Sequence, residues 1–217
     1  MSKLLQTFFA ILVLSLASYS VKAAELRIGA ALMVGSLDSD GAEHEDAEGL
    51  NNAAGTTDKN TKSFSEAFEG GSIFAEIVGD NGFAIGLDYV PASFDIGSGS
   101  RVDTTAANDD DAGTRTASAE LEDLMTVYTK LPIGGGGFYG ILGMHFADIT
   151  TSETLPNATY GNEKIYGGQI GLGYNYGNFS LDVFYSDFQD ITLNSTSGKS
   201  FVTADADATT LRLAYGF

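Results

Sequence analysis

The chain contains no cysteine and no tryptophan, and only three prolines in 217 residues. Without cysteine there is no disulfide framework, so an exported fold must be held by its own hydrogen-bond ladder and packing. Without tryptophan, any interfacial aromatic belt must be built from the 14 Phe and 10 Tyr. Positive charge is also scarce: 11 Lys and Arg stand against 29 Asp and Glu, for a formal charge of −18. That balance lacks the basic footprint of a nucleic-acid binder. It also disfavours direct attraction to anionic lipid headgroups. After the first two dozen residues no apolar run is long enough for a membrane helix, which needs about 18 residues or more. Any crossing of a bilayer must therefore use strands closed into a barrel, because lipid leaves an open sheet edge unsatisfied.

What is present begins with a leader. Lys3 is followed by a short, mostly apolar run from Leu4 to Leu16, and then by Val21-Lys22-Ala23 with small residues at the −3 and −1 positions. This order predicts a secretory signal peptide over 1–23, removed after Ala23, and a single domain over 24–217. Removal takes away Lys3 and Lys22 and no acid, so the mature chain is more acidic still.

Downstream the apolar pattern has a period of two, the mark of half-buried strands. Leu26, Ile28, Leu32 and Val34 share one face, opposite Arg27, Gly29 and Met33. Ile73 and Ile77 oppose Phe74, Glu76 and Val78. Phe83, Ile85, Leu87 and Tyr89 oppose Gly86 and Asp88. Between Ala119 and Leu131, Met125, Val127, Thr129 and Leu131 are assigned outward, with Leu124, Thr126, Tyr128 and Lys130 inward; the opposite register remains open for this strand. Leu142, Met144 and Phe146 oppose Ile141 and His145. Tyr166, Ile170, Leu172, Tyr174 and Tyr176 oppose Gln169. Phe179, Leu181, Val183 and Tyr185 oppose Ser180, Asp182 and Ser186. Leu211, Leu213, Tyr215 and Phe217 oppose Thr210 and Arg212.

That makes eight segments. Long connections are expected at 36–68, 94–117, 148–164 and 189–202, and short turns at 79–82, 132–137 and 176–178. The alternation predicts an all-β, eight-stranded, antiparallel up-and-down transmembrane barrel, apolar side chains outward, with both termini at the short-turn end. The soluble alternative, a barrel with the Leu and Ile face buried, has the same period. Asp207 should mark the end of the outward apolar band, because a charge is costly in lipid.

An eight-stranded barrel is just wide enough for side chains to fill it. Arg27, Glu76, Asp88, Lys130, Asp182 and Arg212 are candidates for a polar network across the lumen, since buried charges must pair. The network reads as a plug, with a narrow polar channel as the alternative. Phe83, Phe138 and Phe179 each leave a short turn; with Tyr176 they are candidates for an aromatic girdle at one membrane interface. His44 and His145 are the only histidines and show no nucleophile partner in sequence, so no catalytic group is expected. No cofactor is expected. Asp38 and Asp40, and Asp109, Asp110 and Asp111, are weak Ca²⁺ candidates without the full loop spacing. Asn157, Asn178 and Asn194 begin glycosylation sequons that read as chance matches.

The Ala24-Glu25-Leu26-Arg27-Ile28 start, the Phe residues at turn exits and the ending Leu211-Arg212-Leu213-Ala214-Tyr215-Gly216-Phe217 together resemble the small outer-membrane barrels of the OmpA transmembrane-domain, OmpX and opacity-protein type. The resemblance implies location in a Gram-negative outer membrane, contact with outer-membrane lipid, and insertion by a barrel-assembly machinery that reads Leu211, Leu213, Tyr215 and Phe217. It implies a non-enzymatic, monomeric surface protein whose long acidic loops serve surface interaction or envelope integrity. Alternatives are a small porin-like channel for small or hydrophobic solutes, and a lipid-modifying enzyme.

Overall fold

The computed structural model describes residues 24–45, 58–103, 113–154, 159–196 and 200–217. The leader, Asp46, Glu48, Asp109, Asp110, Asp111 and Asn157 lie outside them. Among the described residues there are ten strands: β1 (Ala24–Glu45), β2 (Asp58–Gly79), β3 (Ala84–Val90), β4 (Phe94–Asp103), β5 (Gly113–Pro132), β6 (Phe138–Glu153), β7 (Glu163–Tyr176), β8 (Phe179–Phe188), β9 (Ile191–Asn194) and β10 (Ser200–Gly216). All pair antiparallel. β4 continues the line of β3 along β5, and β9 continues that of β8 along β10. The wall therefore has eight staves, and β1–β10 pairing closes the ring. No helix among the described residues is long and apolar enough to cross a membrane; the strands are what such a fold offers.

Glycines shape the turn end. Gly82, Gly134, Gly137 and Gly177 adopt positive φ in the three short turns, where a Cβ would be strained. Near the turn end the faces follow the expected alternation: Leu172 is 64% exposed and Leu213 50%, whereas Asp182 and Arg212 are 1% and 4% exposed. The doubtful β5 register is the assigned one, with Tyr128 and Lys130 buried and Met125 outward. Outward Thr129 and Met144 are nevertheless buried, so the outer wall is not uniformly open.

Two expectations are corrected. First, the long connections are much shorter than the composition suggested: β1 runs on to Glu45, β2 starts at Asp58, β4 occupies 94–103, and β9 and the start of β10 occupy half of 189–202. Polar outward residues made these strand extensions read as loops. Second, Phe83 is 2% exposed and does not join an exposed girdle. The Gly79 N–H donates to its carbonyl and its own N–H donates to Asn81 Oδ1, at 2.8 and 3.1 Å. Clamped in the turn, it sits outside the strand's alternation.

The strand extensions invert the barrel. Along β10 the inward positions change from Ala214, Arg212 and Thr210 to Ala208, Ala206, Ala204 and Val202. The outward positions change from Leu213 and Leu211 to Asp207 and Asp205. On β1 and β6 the outer face makes the same change, to Asp38 and Asp148, while the inner face, already apolar at Met33 and Ile141, continues into Leu37 and Ile149. Toward the turn end the molecule is apolar outside and polar inside. Toward the loop end it is apolar inside and polar outside, like a soluble barrel. The inner apolar cluster includes Leu37, Phe94, Leu121, Ile149, Ile165, Phe188, Ile191 and Leu193. On β5 the inward parity itself changes across a bulge between Glu122 and Met125, where Asp123 takes φ of 52°.

The apolar outer band runs from Leu26 to Val34 on β1 and from Leu211 to Phe217 on β10. Nine residues tilted by about 40° rise roughly 20 Å along a barrel axis, close to the band of about 25 Å that lipid requires. Within that band the β2–β3 and β3–β5 ladders are continuous. Beyond Ile73–Tyr89, no ladder joins β2 to β4 among the described residues. Phe68 packs edge-on against Phe94 with centroids 5.0 Å apart across this seam, and Lys62 Nζ donates to the Ser98 carbonyl. On β2 the unpaired edge begins where the outward side chains change from Ile73 to Gly71 and Glu69.

Candidate functional site: the lumen

Six inward charged residues from six staves meet inside the turn-end half. β2 delivers Glu76, which receives Lys130 Nζ from β5 at 2.5 Å and lies 3.9 Å from Arg27 Nη1 of β1. The Tyr128 hydroxyl donates to Glu76 Oε1 at 2.7 Å. β10 delivers Arg212, which reaches Asp182 of β8 at 2.9 Å and Asp88 of β3 at 2.5 Å. The Tyr139 hydroxyl donates to Asp182 Oδ1. Arg27 also donates to the Asn178 carbonyl at 2.6 Å, tying the network to the last short turn. Three cations and three carboxylates are thus brought together in two clusters, one around Glu76 and one around Arg212.

Two glycines make these clusters possible. A Cβ on Gly86 would run into the ring of Tyr128, and one on Gly173 into Tyr139 and Asp182. Each tyrosine lies across a glycine on the neighbouring strand, which lets its hydroxyl reach the acid beyond. Lys130 sits 5.0 Å from the Tyr139 ring centroid, and the Arg212 guanidinium 4.9 Å from that of Phe74. Such stacking is favourable for desolvated cations. Sequence reading placed the six charges but missed Tyr128, Tyr139 and Phe74 as their partners. The signal was there as an inward aromatic opposite a cross-strand glycine.

Toward the loop end the network gives way to a neutral layer. His145 Nδ1 lies 2.7 Å from Thr126 Oγ1, and its Nε2 2.9 Å from Ser186 Oγ. On its own strand the inward neighbours of His145 are Gly143 and Ala147, which offer no nucleophile; Ser186 of β8 reaches it over the intervening β7. No carboxylate orients the imidazole, and the adjoining void is about 60 Å³, room for a few waters. Beyond it, the rings of Phe94 and Phe188 with Leu37 and Leu121 line the passage, all buried.

The outer surface carries its own markers. At the turn-end rim Phe138, Tyr176, Phe179 and Phe217 are exposed, with Phe138 4.8 Å from Tyr174 and Phe179 4.9 Å from Tyr215. At the other edge of the band Asp187, Asp207 and Asp38 stand in register on β8, β10 and β1. Among the described residues no cluster of ligating side chains is arranged to hold a metal, Asp38 and Asp40 included. His44 stacks on Phe201 with centroids 4.4 Å apart.

Burial first, then the carboxylates of Asp38 and Asp187, hold the Asp207 carboxyl above the ordinary aspartate range. A raised folded pKa means that the fold gains from protonation. Stability is greatest below the ordinary pKa and falls as pH rises through the raised one. Asp207→Asn is therefore expected to stabilise the barrel by a few tenths of a kcal/mol at neutral pH and low salt. The gain should fade on acidification and in high salt, as read from unfolding midpoints in lipid vesicles.

No protein-family model matches the chain, and no curated protein matches it by sequence. Similar solved structures exist. The outer membrane protease OmpT from Escherichia coli is 11% identical, with a TM-score of 0.47, covering 91% of this chain and all of that one. Ail, the attachment invasion locus protein of Yersinia pestis, is 13% identical, with a TM-score of 0.33, covering 87% of this chain and 99% of that one. The outer membrane protein AlkL, seen in lipid bilayers, is 15% identical, with a TM-score of 0.35, covering 92% and 95%. The fold of this chain, a ring of eight staves, rests on its own pairings.

Proposed function

We propose that the chain is an integral, non-enzymatic protein of a Gram-negative outer membrane, with a closed lumen and an acid-rich barrel extension projecting from the cell surface. One observation carries this reading: the outer wall changes from apolar to acidic at one level, through Asp38, Asp207 and Asp187, and the paired inner charges all lie on the turn-end side of that level, as in a barrel that leaves lipid for water. The exposed aromatics at the turn-end rim and the aspartates at the opposite edge support the same placement. The period-two ending in Phe217 supports insertion by a barrel-assembly machinery. The acidic exterior, with Asp38, Asp40, Asp187, Asp205 and Asp207, supports surface interaction or envelope integrity as its role, as in OmpA- and OmpX-like barrels.

The paired charges and the apolar layer above them argue against steady conduction. A channel would need to part Arg212 from Asp182 and Asp88 and displace the rings of Phe94 and Phe188. The His145–Ser186 contact favours a hydrolase only superficially, since the void beside it is too small for an acyl or peptide substrate. In fractionated cells the protein is expected in outer membranes as a band that shifts on heating. Reconstituted in planar bilayers it should show no steady pore. Recovery from the soluble periplasm, or stable single-channel steps, would overturn the reading.

A further inference from the structure

The loop-end half of the barrel is hollow. A cavity of about 610 Å³ lies inside it, lined by Ile96, Ile149, Ile165, Ile191, Leu193 and Val202 among others. Protein cores normally pack with few voids larger than a water molecule. A soluble-type core of this apolar character would close around itself unless something occupied it. Hydroxyls such as Ser98, Ser118 and Thr151 can hold water at parts of the wall, but the stretch formed by Ile96, Ile149, Ile165, Ile191 and Leu193 offers it few hydrogen bonds. The volume falls in the range of small-molecule sites, about 300–1,000 Å³. We propose that this chamber is a binding site for a hydrophobic small molecule that carries no negative charge.

The chemistry of the rim sets the charge. Glu43 and Glu153 border the chamber, against Lys62 as the facing cation among its described lining residues. Lys62 is engaged with the Ser98 carbonyl across the β2–β4 seam. The Tyr160 hydroxyl donates to Glu43 at 2.8 Å and its backbone N–H to Glu153 at 3.3 Å, so both carboxylates are fixed at the mouth. With a chain charge of −18 behind them, a fatty-acid carboxylate or lipid phosphate meets repulsion. A long-chain alcohol or another uncharged apolar molecule meets none. Phe188 borders the chamber from below, and Phe94 and the paired charges surround the narrow void beneath it, so the chamber is taken as a receptacle and not as a segment of a pore.

The inference rests on the proposed reading of the lower lumen as closed, but its test is separate. The protein in lipid nanodiscs is titrated with N-phenyl-1-naphthylamine, whose fluorescence rises in apolar surroundings, against empty nanodiscs. A saturable component is expected, displaced by dodecanol and at least about tenfold less well by dodecanoate, a difference of about 1.4 kcal/mol. Ala204→Phe, which fills the chamber, should weaken probe binding at least tenfold, and Ile149→Asn should do the same by wetting it. The lipid-facing Ala30→Phe should leave binding unchanged. Should Ile149→Asn fail to fold, Ala204→Phe still decides. No saturable binding beyond empty nanodiscs, equal displacement by dodecanoate, or undiminished binding in Ala204→Phe would each overturn the proposal. A barrel that conducts would fail the bilayer test without altering this one.

Discussion

Replacing Glu76 with Leu should destabilise the barrel by about 3–5 kcal/mol, whereas replacing Glu76 and Lys130 together, by Leu and Met, should bring stability back to within about 1–2 kcal/mol of the parent. The asymmetry follows from burial. Glu76 and Lys130 are 1% and 2% exposed and 2.5 Å apart, so each neutralises the other where water cannot. Removing the acid alone leaves the Lys130 ammonium, and the nearby Arg27 guanidinium, without their counter-charge. It also takes the acceptor from the Tyr128 hydroxyl, a further loss of about 1 kcal/mol. Removing both charges trades the pair for apolar packing, which in buried sites is often nearly neutral. Unfolding by guanidinium in phospholipid vesicles, followed by the heat-dependent gel shift, measures both. A double variant as unstable as the single one would show that the pairing is not what stabilises this layer.

The second large effect is a contrast along one strand. Leu213→Arg should cost about 2–4 kcal/mol, because the outward face at that height meets the apolar part of the bilayer. Asp205→Arg, also outward and eight residues nearer the loop end, should cost between zero and about 1 kcal/mol, or even stabilise by relieving the neighbouring aspartates. Both positions are exposed and both lie on β10, so strand propensity and neighbours along the chain differ little. Insertion equilibria in vesicles, read by protease protection, separate them. Equal costs at the two sites would place the lipid boundary elsewhere and remove the basis for the inverted upper barrel.

Much of the turn-end half is written in single residues. The alternation of Leu172, Gly173 and Tyr174, or of Leu211, Arg212 and Leu213, admits one assignment of faces once lipid lies outside. Positive-φ glycines mark all three short turns. The inward charges were legible because a charge between outward leucines has nowhere else to go. The loop-end half was not legible for a definite reason. Its strands keep the same period, but their outward members are Asp, Ser and Thr and their inward members small or aliphatic, the pattern of a soluble barrel. Read with the lipid assignment held fixed, Ala204, Ala206 and Ala208 against Asp205 and Asp207 look like a polar connection. The bulge at Asp123 adds a parity change that no composition reveals. The partners of His145 were equally hidden, since Thr126 is set opposite it only by the β5–β6 register and Ser186 reaches it over the glycine of the intervening β7.

The opposed markers on the outer wall have a consequence for depth. Phe138, Phe179 and Phe217 resist being drawn out into the water on one side, while Asp38, Asp187 and Asp207 resist being drawn down into hydrocarbon on the other. A cylinder held between two such stops has little freedom to slide along the bilayer normal. In a membrane thicker or thinner than its waist, the lipid must stretch or compress to match, while the protein keeps its level.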